Sequence, residues 1–148
     1  MSVPLTKRNQ NRSEEQKTKD AGFEIEQLAH QVTDYTFDMV TNEKHFPKRY
    51  RWCISNRVLD KAAMIDDYVT LANSIYVRNG DGSKTRRLTY IAKSLELTYS
   101  LLNDINRAYR KFGVNSFNVE HWTGIIMNLQ TQLRNWYQGE RNRYKNIG

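Results

Sequence analysis

The chain has little of what cross-links or punctuates a fold: one cysteine, two prolines and seven glycines in 148 residues. A single cysteine, Cys53, excludes an intramolecular disulfide and fits a reducing cytoplasm, the location expected here. The expected place for Cys53 is a small filler of the core. No run of about 18 apolar residues occurs, so no membrane span is expected. Residues 1–17, MSVPLTKRNQNRSEEQK, contain no apolar h-region, and no secretory signal is expected. Acidic residues are the scarcer charge, 16 against 23 basic ones, giving a net charge of +7 and a pI near 9.6. That imbalance raises the case for a polyanionic partner, against the plainer reading of charge that only solvates helix faces.

What the chain does have is apolar residues at helical spacing. Residues 1–20 are polar and mixed in charge, and read as a flexible arm whose basic residues could touch nucleic acid. From there Ile25, Leu28, Val32, Tyr35 and Met39 form one seam, predicting a first helix over 21–44 with Asp20 as its N-cap. Phe46-Pro47 breaks the pattern. A second helix is expected over 47–78, on Tyr50, Ile54, Val58, Ile65, Tyr68, Val69, Ala72, Ile75 and Tyr76, with Lys61 interrupting the stripe and Asn79-Gly80 as the stop. Ser83 is the expected cap of a third helix over 84–112, with a seam of Leu88, Ile91, Leu95, Tyr99, Leu102, Ile105 and Tyr109, widened by Leu101 and Phe112. Gly113 stops it. A fourth helix starts after Asn115 or Ser116 and runs to about 138 on Trp122, Ile125, Ile126, Leu129, Leu133 and Trp136. Gly124 inside it suggests a close helix crossing, and the polar segment 138–148 is expected to fray. Short connections join antiparallel neighbours, so the expected fold is an all-α, up-down-up-down four-helix bundle over 21–148.

Catalytic patterns are absent. No Glu-x-x-His pair precedes His30, His45 or His121, so no metal or other cofactor is expected. There is no nucleophile elbow and no phosphate-cradling loop after a strand. Asp66 and Asp67 diverge by about 100° on a helix and read as surface aspartates. The chain is therefore expected to bind rather than to react.

Basic residues supply the candidate site. Residues 46–87 hold nine basic and four acidic groups. Lys48, Arg49, Arg51, Arg57 and Lys61 crowd the second helix's first half, Lys84, Arg86 and Arg87 open the third, and Arg107, Arg110 and Lys111 end it. Antiparallel topology would gather Lys48, Arg49, Arg51, Arg107, Arg110 and Lys111 at one end of the bundle, with Arg78, Lys84, Arg86 and Arg87 at the other. Such groups neutralise phosphates. Arg49, Tyr50, Arg51 and Trp52 alternate guanidinium with aromatic groups, fitting either base stacking or packing within or between subunits. Trp122 and Trp136 fit either a core or a subunit interface.

The segment Phe46-Pro47-Lys48-Arg49-Tyr50-Arg51 follows an acidic helix and leads through Asn56-Arg57 to Leu71-Ala72-Asn73. Arg87-Leu88 then leads to Leu95, Leu97 and Leu102. Over roughly 21–138 this pattern resembles the accessory variability determinant proteins of diversity-generating retroelements and the related four-helix-bundle proteins encoded in ribosomal RNA intervening sequences. The resemblance implies a homopentamer of four-helix protomers with a basic surface. It also implies a reverse transcriptase and its template RNA as partners in adenine-directed mutagenic cDNA synthesis, with no catalytic residue on the accessory protein. Lys48, Arg49, Arg51 and Arg57, then Arg86 and Arg87, are the positions it marks for nucleic-acid contact. Members often end the fourth helix with a Gly-Gly-Trp-like segment; here Leu133-Arg134-Asn135-Trp136 keeps only the tryptophan. The rival reading is a protein-interaction or structural bundle without nucleic-acid contact.

Overall fold

The structure, a computed structural model, describes residues 14–148, with side chains from residue 21. Four long helices account for most of it: α1 (Glu14–Thr41), α2 (Asn56–Ser74), α3 (Ser83–Phe112) and α4 (Ser116–Arg143). Each packs chiefly on its neighbours in the chain, and α1 closes on α4, so the four form an up-down-up-down bundle. No strand occurs among the described residues, and no helix among them is long and apolar enough to cross a membrane.

The seams of α1 and α4 lie where periodicity predicts them. Ile25, Val32 and Met39 face Trp122, Ile126, Leu129, Leu133 and Trp136 in one core. Trp122 and Trp136 belong to that interior, at 0% and 4% exposure, which takes them out of consideration as anchors for a second subunit. The Trp122 indole donates to Thr36 Oγ1 at 2.9 Å, so its polar atom is satisfied where it is buried.

Helix α3 is turned relative to its expected seam. Its buried face is Arg87, Ile91, Ser94, Thr98, Leu101, Asp104, Ile105 and Ala108, while Tyr99 and Tyr109 are exposed. Polar residues occupy that face because each finds a partner. Ser94 Oγ donates to the Ile65 carbonyl at 3.1 Å, and Gln130 Nε2 donates to Thr98 Oγ1 at 3.1 Å. A side chain as short as serine reaches the α2 backbone only where the two helices approach closely, beside Ala62 and Ala72 on α2.

The helix ends depart from expectation in instructive ways. Asp20 lies inside α1, which begins at Glu14, and therefore does not cap it; of the arm expected over residues 1–20, residues 14–20 belong to the first turns of α1 and residues 1–13 lie outside the described residues. The second helix is not continuous: a 3₁₀ turn (Lys48–Tyr50) and a π-helical turn (Arg51–Ser55) precede α2, which stops at Ser74 as Ile75 turns extended. Gly82, in the left-handed region at φ 79°, takes the N-cap position expected for Ser83. Ser83 is instead buried, accepting from the Arg78 N–H and donating to its carbonyl. Gly113 ends α3 at φ 66°, and the Asn115 side chain caps α4 by accepting from the Phe117 and Asn118 N–H groups.

Two further expectations fail on packing. A Cβ at Gly124 would meet nothing within 4 Å, so no close crossing occurs there; the close approach is at Gly22, where a Cβ would collide with Asn73 Oδ1 and touch Trp136. The segment 138–148 does not fray: α4 continues to Arg143, and the chain then docks on the α2–α3 loop. Gly80 N–H donates to the Gly148 carbonyl, Lys84 Nζ to the Ile147 carbonyl, and Gly148 N–H to Asn79 Oδ1.

Candidate nucleic-acid interface at the hinge end

The α1–α2 hinge and the α3–α4 turn meet at one end of the bundle, and aromatic packing joins them. Phe46, buried, stands edge-on to Phe112 of α3 (5.2 Å between centroids) and to Trp122 of α4 (5.7 Å). Tyr50 stacks on Phe112 at 4.8 Å and 19°. Pro47, with φ −56°, starts the 3₁₀ turn that carries Lys48 and Arg49. Because Phe46 and Tyr50 are pinned to α3 and α4, the exposed Lys48, Arg49 and Arg51 stand at the same end as Arg110 and Lys111 in the last turn of α3. The α3 dipole favours those last two cations.

Beside this end lies a cluster that the sequence does not announce. The Asp104 carboxylate, 3% exposed, receives Arg57 at 3.1 Å, Arg107 at 3.0 Å and Lys61, whose ammonium also donates to Ser100 Oγ at 2.6 Å. One negative charge thus serves three positive ones, leaving two in surplus. Lys61 is largely covered, while Arg57 and Arg107 keep about half of their side-chain surface in solvent. These two can hold Asp104 on one side and meet an anion on the other, since a guanidinium carries five donors. Arg51 lies 3.8 Å from Glu43, a pair exposed on both sides and so worth little. Arg49 lies over the Tyr50 ring at 5.0 Å. Among the described residues, no acid stands within ion-pair distance of Lys48, Arg110 or Lys111.

At the opposite end one of the expected cations, Arg87, is structural in use. Arg87 is 8% exposed. Its guanidinium makes a two-pronged contact with the buried Glu140 (3.2 and 2.9 Å), donates to the Ala72 and Ile75 carbonyls that α2 leaves open, and lies over the Trp136 ring. The Trp136 indole donates to the same carboxylate at 3.1 Å. Arg87 is thereby removed from nucleic-acid contact, whereas Arg86 remains exposed near it. A cleft of about 590 Å³ opens beside this node, lined by Phe23, Glu26, Tyr76 and Arg143 among others.

Two more assignments change. Cys53 is exposed on the π-helical turn and does not fill the core. Asp66 is not a free surface aspartate: it faces His30 Nδ1 at 2.9 Å, and this bond, with help from the Asp66 charge, raises the His30 pKa above its ordinary 6.5. No group of three metal-ligating side chains gathers among the described residues.

Asp104 and Glu140 are the site-shaping residues missed in the sequence. Both left a signal. Asp104 stands between Leu101 and Ala108 on a stripe of steps three and four, and Glu140 continues the Leu129, Leu133, Trp136 seam by one more step of four. An acid on an apolar stripe marks a buried partner of opposite charge.

Fold and site together define an all-α four-helix bundle with a cation-rich hinge end. Comparisons of the chain with family models, with curated proteins and with solved structures find no match.

Proposed function

We propose that this chain is a non-enzymatic nucleic-acid-binding protein that uses its hinge end. The observation that carries the reading is the cation surplus there: Arg57 and Arg107, held by one buried carboxylate, beside Lys48, Arg49, Arg110 and Lys111. Fixing long basic side chains before binding lowers the entropy lost when they meet phosphates. The resemblance to retroelement accessory proteins extends the proposal. The chain would associate as a homo-oligomer, a pentamer by that resemblance, with a reverse transcriptase and its template RNA. With Trp122 and Trp136 buried, any contact between copies falls to exposed apolar residues such as Phe23, Phe37, Tyr99 and Met127.

The same exposed residues favour the second reading, a protein-interaction bundle whose charges only solvate it. Co-purification separates the two. Tagged chain expressed with a neighbouring reverse transcriptase gene and its template RNA should retain both, and lose the RNA when Arg49 and Arg51 are changed to glutamate. Partner capture indifferent to that double reversal supports the second reading.

A further inference from the structure

Trp52 is 86% exposed, the most exposed large apolar residue in the described chain. Its position is dictated rather than slack. Tyr50 and Ile54 lie four apart across the π-helical turn Arg51–Ser55, whose wider repeat keeps both on the inner side, and Val58 and Ala62 continue that face in α2. With Tyr50 stacked on Phe112 and Ile54 packed on the core, the residue two away from each lies about half a turn round and faces outward. Trp52 is that residue. Among the described residues none hydrogen-bonds to it or stacks on it, although an indole inside this chain finds a partner in both other cases. Around it in the chain stand Arg49 and Arg51, both exposed.

We propose that Trp52 is a stacking platform for an unpaired base, so that the hinge end selects single-stranded over duplex nucleic acid. This rests on the proposed nucleic-acid function and makes it more specific. A duplex offers phosphates but keeps its bases paired and stacked. A single strand offers phosphates to Arg49 and Arg51 and a free π-face to the indole, which is the combination that single-strand grooves use. The sequence tolerance of stacking means that the preference is for strandedness rather than for a particular base.

The test uses the full chain, an oligouridine of about twelve nucleotides and a blunt-ended, loop-free RNA duplex of matching phosphate number. Trp52 is the only one of the three tryptophans at the surface, so the part of the emission that Trp52→Phe removes reports the contact. The oligouridine should quench it at low salt. Trp52→Ala should weaken oligouridine binding about tenfold and leave duplex binding unchanged. Trp52→Phe should keep most of the affinity while abolishing the quench. Equal affinity for both RNAs, with Trp52→Ala neutral, overturns the stacking assignment and leaves the phosphate-binding function standing. No binding of either RNA overturns both. A Trp52→Ala chain that instead dissociates from a self-associated species in sedimentation assigns the indole to a contact between copies, and overturns it as well.

Discussion

At the scale of single residues, the Arg87–Glu140 pair is costly to disturb. Both side chains are buried, and three elements meet at them: the open carbonyls of α2, α3 through Arg87, and α4 through Glu140 and Trp136. Removing one partner strands a buried charge. Arg87→Ala should therefore cost about 3–5 kcal/mol, read by denaturant unfolding. The double change Arg87→Met/Glu140→Leu should recover most of that, because no charge is left without its partner. A loss below about 1 kcal/mol for the single variant would show that water or neighbours rescue Glu140. Asp66 likewise has a partner in His30. Because the folded His30 pKa lies above its unfolded value of 6.5, its stabilisation is fully present below that value and is lost as pH rises through the folded one. The melting temperature should fall across that window, and His30→Asn should flatten the fall.

At the scale of elements, the helix ends make separable predictions. Asn115 caps α4 through two backbone N–H groups, so Asn115→Ala should lose about 1 kcal/mol. Gly124 and Gly139 sit inside α4 with open space where a Cβ would go, so alanine at either should gain about 0.5–1 kcal/mol. Gly22→Ala should destabilise instead, since Asn73, which donates to the Gly22 carbonyl, would have to move. Thermal melts should place Gly124→Ala and Gly139→Ala above the unchanged chain and Asn115→Ala and Gly22→Ala below it. The number and order of helices were legible in the chain because four apolar seams and three breaks suffice for them. The register of α3 was not, because apolar periodicity cannot distinguish a serine or threonine bonded across a helix contact from one facing water. Ser94 and Thr98 are the former. The π-helical turn was hidden for a related reason. The steps of four from Tyr50 to Val58 read as an ordinary seam, and no glycine or proline within Arg51–Ser55 marks the widened turn. Half of the candidate site was visible as a basic run. The other half depended on contacts such as Lys61 with Ser100 and Arg57 with Asp104, 39 and 47 residues apart, which spacing along the chain does not encode.

At the scale of the whole molecule, the two ends use similar composition in different ways. One end buries a cation as part of its structure, Arg87 on Glu140, and ties Lys84 to the Ile147 carbonyl, while Arg78 and Arg86 stay exposed. The other keeps cations in surplus around Asp104 and the hinge. Net charge alone does not separate these uses: a cation buried on its own carboxylate, as Arg87 is, cannot neutralise a polyanion from outside. The central claim is that this surplus binds nucleic-acid phosphates. Its most direct test is fluorescence anisotropy of a labelled RNA titrated with the chain across a salt series, repeated with Arg49 and Arg51 both changed to glutamate. The account predicts that log affinity falls linearly with log salt for the wild-type chain, with a shallower slope and weaker binding for the double variant. Affinity that does not respond to salt, or two chains with the same slope, would contradict it.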